Sequence, residues 1–175
     1  SVSFYFVEAY KKIRTKLEYK VKDKDIKVII ISSVSENEGK STVAANIAIS
    51  LARLGIGNIK IVDFDVVEPS NLNRQQYYIK DIGEFKVNAL KRNLEEINPF
   101  INVQAIIKKL DKDNIAEVFA EEDIIIEAFD NPEYKAEIST KVLNTMRDKI
   151  LIASSGMAGY YPSNEIKTRK INERF

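Results

Sequence analysis

Short runs of mostly β-branched apolar residues, spaced by stretches of helical periodicity, constrain this chain more than any other feature. The first run, residues 26–31, is nearly free of polar side chains, and residues 59–64, 123–129 and 149–154 repeat the pattern. Such runs are characteristic of parallel strands covered on both faces. Residues 102–108 alternate more clearly and predict a further strand. Between the runs, residues 42–54 are rich in Ala and Ile, and residues 85–97 place Val87, Leu90, Leu94 and Ile97 at three- and four-residue steps. Helices are predicted there and at 114–119 and 132–146. Strand and helix alternate throughout, which predicts an α/β fold with a doubly wound, mostly parallel sheet. Its ligand would lie beyond the carboxyl ends of the strands.

A chain of 175 residues suits one domain, and a compact fold of that size buries roughly 70% of the surface of its unfolded chain. No linker, repeat or low-complexity segment divides it, so residues 1–175 are read as a single domain with a leading helix at about 4–19. In that helix Phe6, Val7, Tyr10, Ile13 and Leu17 share one side, suited to packing on a sheet edge or to self-association. Lys and Arg number 27 against 26 Asp and Glu, so net charge gives no reason to expect nucleic acid or a membrane surface as partner. The chain has no cysteine and no histidine, which removes thiol nucleophiles, thiolate zinc sites and imidazole bases. It has no apolar run of membrane-spanning length and no signal-peptide pattern at its start, and a cytoplasmic protein is expected.

Two stretches carry chemistry. In IKVIIISSVSENEGKST, residues 26–42, Gly39-Lys40-Ser41 closes a loop between a strand and a helix. Backbone amides and the helix dipole can hold phosphate there. Lys40 would neutralise the outer phosphates, and the Ser41 hydroxyl would reach a bound magnesium ion, as in a P-loop. Val34 stands where the P-loop pattern begins with Gly. A plain helix start with Ser41 as a cap is the alternative.

The second stretch, NIKIVDFDVVEPSNLNRQQ, spans residues 58–76. Asp63 ends a strand, where a carboxylate accepts hydrogen bonds from ribose hydroxyls. Asn71, Arg74 and Gln75 occupy the polar loop that follows, and the planar fork of Arg74 suits triphosphate oxygens. Lys86 adds a cation at the start of the next helix. Asp130 ends the fourth strand on the same sheet edge, where it could hold magnesium.

Residues 8–52 resemble the N-terminal part of bacterial tyrosine kinases that regulate capsule and exopolysaccharide synthesis, which are P-loop proteins. Lys40, Ser41 and Thr42 match that family's ATP-phosphate and magnesium positions. Glu8, Lys11 and Arg14 stand in its Glu-x-x-Arg-x-x-Arg ring-assembly motif, with Lys11 the departure.

From about residue 46 onward the chain resembles the ThiF family, adenylyltransferases that activate ubiquitin-like sulfur carrier proteins in thiamin and molybdopterin synthesis. The stretches LARLGIGNIKIVDFDVVEPSNLNRQQYYIKDIGEFKVNALKRNLEEINP, IIIEAFDN and ASSGMAGY carry the match. The resemblance implies a Rossmann-like domain in which Asp63 binds the ribose, Asn71, Arg74, Gln75 and Lys86 contact the triphosphate, and Asp130 supports magnesium. It also implies transfer of AMP to the carrier's C-terminal Gly-Gly carboxylate, with Arg74, Lys86 and Asp130 as the catalytic set, and a homodimer. The ThiF glycine-rich loop is absent, and SVSENEGKST occupies its place.

Because both resemblances meet in one helix, the chain reads as a recombinant of two βαβ units. The leading expectation is therefore an ATP- and Mg2+-binding adenylyltransferase domain. The alternatives are a P-loop ATPase or tyrosine kinase, and a nucleotide-binding scaffold without turnover.

Overall fold

The computed structural model describes residues 15, 26–32, 40–73, 75–111, 113–129, 132–153, 170–172 and 174–175. Five strands, β1 (Lys27–Ser32), β2 (Asn58–Val62), β3 (Asn102–Ile106), β4 (Ile124–Ala128) and β5 (Ile150–Ala153), form one sheet in the order β3-β2-β1-β4-β5. Every pairing is parallel. Helices α1 (Lys40–Arg53), α2 (Lys86–Ile97), α3 (Ile115–Val118) and α4 (Pro132–Thr145) supply the crossovers. The doubly wound α/β architecture is the one predicted, and the predicted runs locate its strands and helices to within a few residues. Of the predicted leading helix only Thr15 is described, and it is helical; the rest lies outside the described residues.

Alternation of side chains along the strands builds two cores. Ile59 and Ile61 of β2, with Ile124 and Ile126 of β4, face α1 and α2 and join Ala48, Leu51, Leu90 and Leu94. Val62, Ile125 and Phe129 face the other way, against Phe119, Ile138 and Val142 near α3 and α4. The sheet is thus a middle layer, and the residue after β2, Asp63, shares the parity that points toward α1 and α2.

A lysine side chain and a stretch of C-terminal backbone lie on the two flanks of the sheet. On β3 the Lys91 ammonium donates to the carbonyl of Val103 at 2.6 Å. On β5 the amide of Leu151 donates to the carbonyl of Arg174 at 2.9 Å. The Arg174 guanidinium then donates to the carbonyls of Leu143 and Met146 near the end of α4, satisfying acceptors that a helix end leaves open.

Strand order reverses direction at β1. The helices that follow β1 and β4, α1 and α4, pack on opposite faces of the sheet, so a crevice opens at the carboxyl ends of these strands. Register places Ile31 beside Val62 and Ser32 beside Ala128. The carboxyl ends of β1, β2 and β4 therefore share one edge.

Candidate functional site

The long connection from β2 to α2 is folded back on itself by backbone bonds. Val67 donates to Glu84 at 2.8 Å, Gly83 donates to Val67 at 2.9 Å, and Val66 forms an isolated bridge with Phe85. Gly83 has φ +85°, a left-handed conformation that favours glycine. The result brings together Asp65 and Lys86, 21 positions apart: the Lys86 amide donates to the Asp65 carbonyl at 2.9 Å, and the Lys86 ammonium meets the Asp65 carboxylate at 3.0 Å.

A lysine in the first position of a helix opposes the helix dipole and adds nothing to helix stability. Lys86 nevertheless stands there, only 7% exposed. Asp65 compensates the unfavourable charge. Asp65 is itself fixed by Asp63, whose carboxylate accepts the Asp65 amide at 2.9 Å. Asp63 is 3% exposed at the carboxyl end of β2, beside a cavity of about 10 Å³ lined by Ala44, Ala45, Ile61, Tyr77, Lys86, Val87 and Leu90. That space is at the lower limit for one water, so a nucleotide would lie over this floor and not within it.

Tyr77 forms part of that floor. Burial first, and then the carboxylates of Asp63, Asp65 and Asp81, push its phenol far above the ordinary value. Asp81, fully buried, is held by the Arg92 guanidinium at 2.5 Å and accepts the Tyr78 amide at 2.7 Å. Arg92 also reaches Glu84 at 2.9 Å. Asn93 donates to the Gln76 carbonyl, and Gln76 donates to the Asn46 side chain, each at 3.0 Å, tying the loop to both α1 and α2.

The predicted site residues separate into three groups. Asp63 and Lys86 line one cavity at the sheet edge. Asn71 lies close in the chain, buried in the 3-10 turn Pro69–Asn71, but its side-chain oxygen accepts the Glu68 amide at 3.0 Å and so holds the loop. Gln75 donates its amide to the Asn71 carbonyl, and its side-chain oxygen is buried without a hydrogen-bond partner among the described residues. Lys40, Ser41 and Thr42 form the first turn of α1, with their side chains outside the description. Gly39, Arg74 and Asp130 lie outside the described residues.

Three groups that the structure makes prominent carry no role in the sequence pattern. Asp65 was visible only as a second acid after Asp63. Tyr77 is one of two adjacent tyrosines after a polar stretch. Glu127, fully buried at the end of β4, accepts the Lys135 ammonium at 2.9 Å and the Phe129 amide at 3.2 Å. An acid inside an otherwise apolar strand was its only signal.

A parallel sheet wound in both directions from β1, with an acid at the end of β2 and a lysine at the start of α2, defines a Rossmann-like α/β domain. Residues 39–163 match the ThiF family, and the chain belongs to it. The match includes all of α1, where the two resemblances meet. Among similar proteins, the molybdopterin-synthase adenylyltransferase of Haemophilus influenzae is 39% identical over 89 residues, which cover 50% of this chain and 37% of that protein. The SAMP-activating enzyme E1 of Haloferax volcanii is 38% identical over 82 residues, covering 46% of this chain and 30% of its own length. The chain thus spans well under half the length of these curated relatives.

Among solved structures, the AMP complex of Escherichia coli tRNA N6-threonylcarbamoyladenosine dehydratase superposes with a TM-score of 0.70 at 22% identity, over 89% of this chain and 60% of that one. It shows the shared fold. The ATP complex of Escherichia coli MccB superposes with a TM-score of 0.65 at 25% identity, over 79% of this chain and 39% of that one.

Proposed function

We propose that this chain is the ATP-binding core of an adenylyltransferase that activates the C-terminal carboxylate of a ubiquitin-like sulfur carrier protein ending in Gly-Gly. The observation that carries this reading is the convergence of buried Asp63 and buried Lys86 on the switch-point edge of a ThiF-family sheet. Asp63 would accept the ribose hydroxyls, and Lys86, joined by Asn71, Arg74 and Gln75, would face the phosphates. Relatives named for adenylation of molybdopterin synthase, and one named a sulfur carrier protein adenylyltransferase, support the substrate class.

In the proposed reaction a carboxylate oxygen of the carrier attacks the α-phosphorus, forming an acyl-phosphate bond. The bond from that phosphorus to the bridging oxygen breaks, and pyrophosphate leaves with the electron pair. Charge builds on the leaving group, where Lys86 and Arg74 would act electrostatically. Magnesium bound with phosphates needs only one or two protein oxygens. Ser41, in the first turn of α1, and Asp130, which follows β4 in the sequence, are the oxygens proposed for it. When bound, the ion would neutralise phosphate charge.

The phosphotransfer alternative draws on the resemblance over residues 8–52, whereas the ThiF match extends from residue 39 to 163. Exchange of labelled pyrophosphate into ATP separates the two. We expect exchange that depends on a Gly-Gly carrier and is lost in Asp130→Ala, and that weakens by about tenfold or more in Lys86→Ala. Release of ADP without a carrier, abolished by Lys40→Ala and untouched by Asp130→Ala, would overturn adenylation.

A further inference from the structure

The ammonium assigned to the phosphates already has a partner. Lys86 is bonded to the Asp65 carboxylate at 3.0 Å, with their side chains only 9% and 19% exposed. From this pair we infer that Asp65 is a positioning residue and a latch: it holds Lys86 at the mouth of the site, and an incoming triphosphate must take the ammonium from it. The inference rests on the nucleotide-binding reading of the site.

Loop closure alone does not account for the side-chain pair. The Lys86 amide already donates to the Asp65 carbonyl, and the Val66–Phe85 bridge and the Val67 and Gly83 bonds fasten the same turn. The carboxylate is therefore spare for folding the loop, yet it is oriented: the Asp65 amide is anchored by Asp63 at 2.9 Å. Lys86 is correspondingly confined. Val87 and Leu90 line the cavity beside it, and Asp65 is the partner that offsets its charge against the dipole of α2.

Charge sets the direction of the effect. The Asp65 carboxylate sits against the ammonium, and the Asp63 carboxylate that anchors the Asp65 amide lines the same cavity as Lys86. A polyphosphate arriving there meets like charge and a cation that is already engaged, and both effects are stronger out of bulk water. Neutralising Asp65 removes the competitor and one negative charge together. Polyphosphate binding should then tighten, while a ligand lacking phosphate should be indifferent.

Calorimetric titration of the whole chain tests this, using ATP, adenosine and inorganic tripolyphosphate in buffer without divalent cations. Asp65→Asn is expected to tighten ATP and tripolyphosphate by about tenfold and leave adenosine unchanged. The gain should vanish in the double variant with Lys86→Ala, and Asp65→Glu, which restores the charge, should return affinity toward the parent. Equal or weaker tripolyphosphate binding in Asp65→Asn overturns the latch, as does a parallel loss for all three ligands, the signature of a merely structural role.

If Asp65→Asn does not fold, Lys86→Arg decides, because a planar fork can donate to Asp65 and a phosphate at once. It should tighten tripolyphosphate, and no change would count against the latch. A parent chain that binds tripolyphosphate but not ATP keeps the latch and counts against the nucleotide reading. A parent that binds neither overturns the latch, and the nucleotide reading is then judged by pyrophosphate exchange.

Discussion

Tyr77 shows at the scale of one residue how the acid-rich edge affects stability. Its phenol is raised by burial and by three nearby carboxylates, so the folded chain keeps the proton after the unfolded chain has lost it. The stabilising effect is complete below the unfolded phenol value of about 10 and is lost as pH rises beyond it. Stability should therefore decline above about pH 10 by up to about 1.4 kcal/mol per pH unit from this group. Urea midpoints measured from pH 9 to 11.5 should fall more steeply in the parent than in Tyr77→Phe, and parallel slopes would contradict the assignment. Asp63 and Lys86 were legible in the sequence because each sits at an element end, where chemistry and position coincide. The Asp65–Lys86 pair was not, since 21 positions separate its members and only the folded loop joins them.

At the scale of elements, the strands were legible because most are covered on both faces and so carry almost no polar residues. The connection from β2 to α2 was opaque for the opposite reason. Its order comes from long-range backbone bonds and the Arg92 clamp, which leave no periodic trace. Two substitutions probe that order. Gly83→Ala meets no atom within 4 Å but must hold φ +85°, so it should cost about 1 kcal/mol and weaken ATP binding through Lys86. Arg92→Leu leaves the fully buried Asp81 carboxylate with the Tyr78 amide alone among its described partners and should cost about 2 kcal/mol. Chemical denaturation measures both, and an Arg92→Leu chain as stable as the parent would show that the clamp contributes little.

The whole molecule presents an apolar patch around the same loop: Val66, Tyr78, Ile79, Ile82 and Phe85 are all exposed, Ile79 at 81%. A patch of this kind is suited to a protein contact, and we propose a homodimer. Light scattering should return twice the chain mass of 20.0 kDa and drop to the single mass in Ile79→Lys. A parent of single mass would exclude the dimer. The flanks of the sheet carry a different consequence. Open strand borders invite further strands, and the growth of such stacks is what turns a parallel sheet into fibre. Lys91 over Val103 and Arg174 beside Leu151 act as stoppers at the two ends of the strand row. Both borders along which copies could join without limit thus carry a contact of the chain's own. Concentrated Lys91→Thr protein should seed thioflavin-positive aggregates on standing, while the parent stays clear.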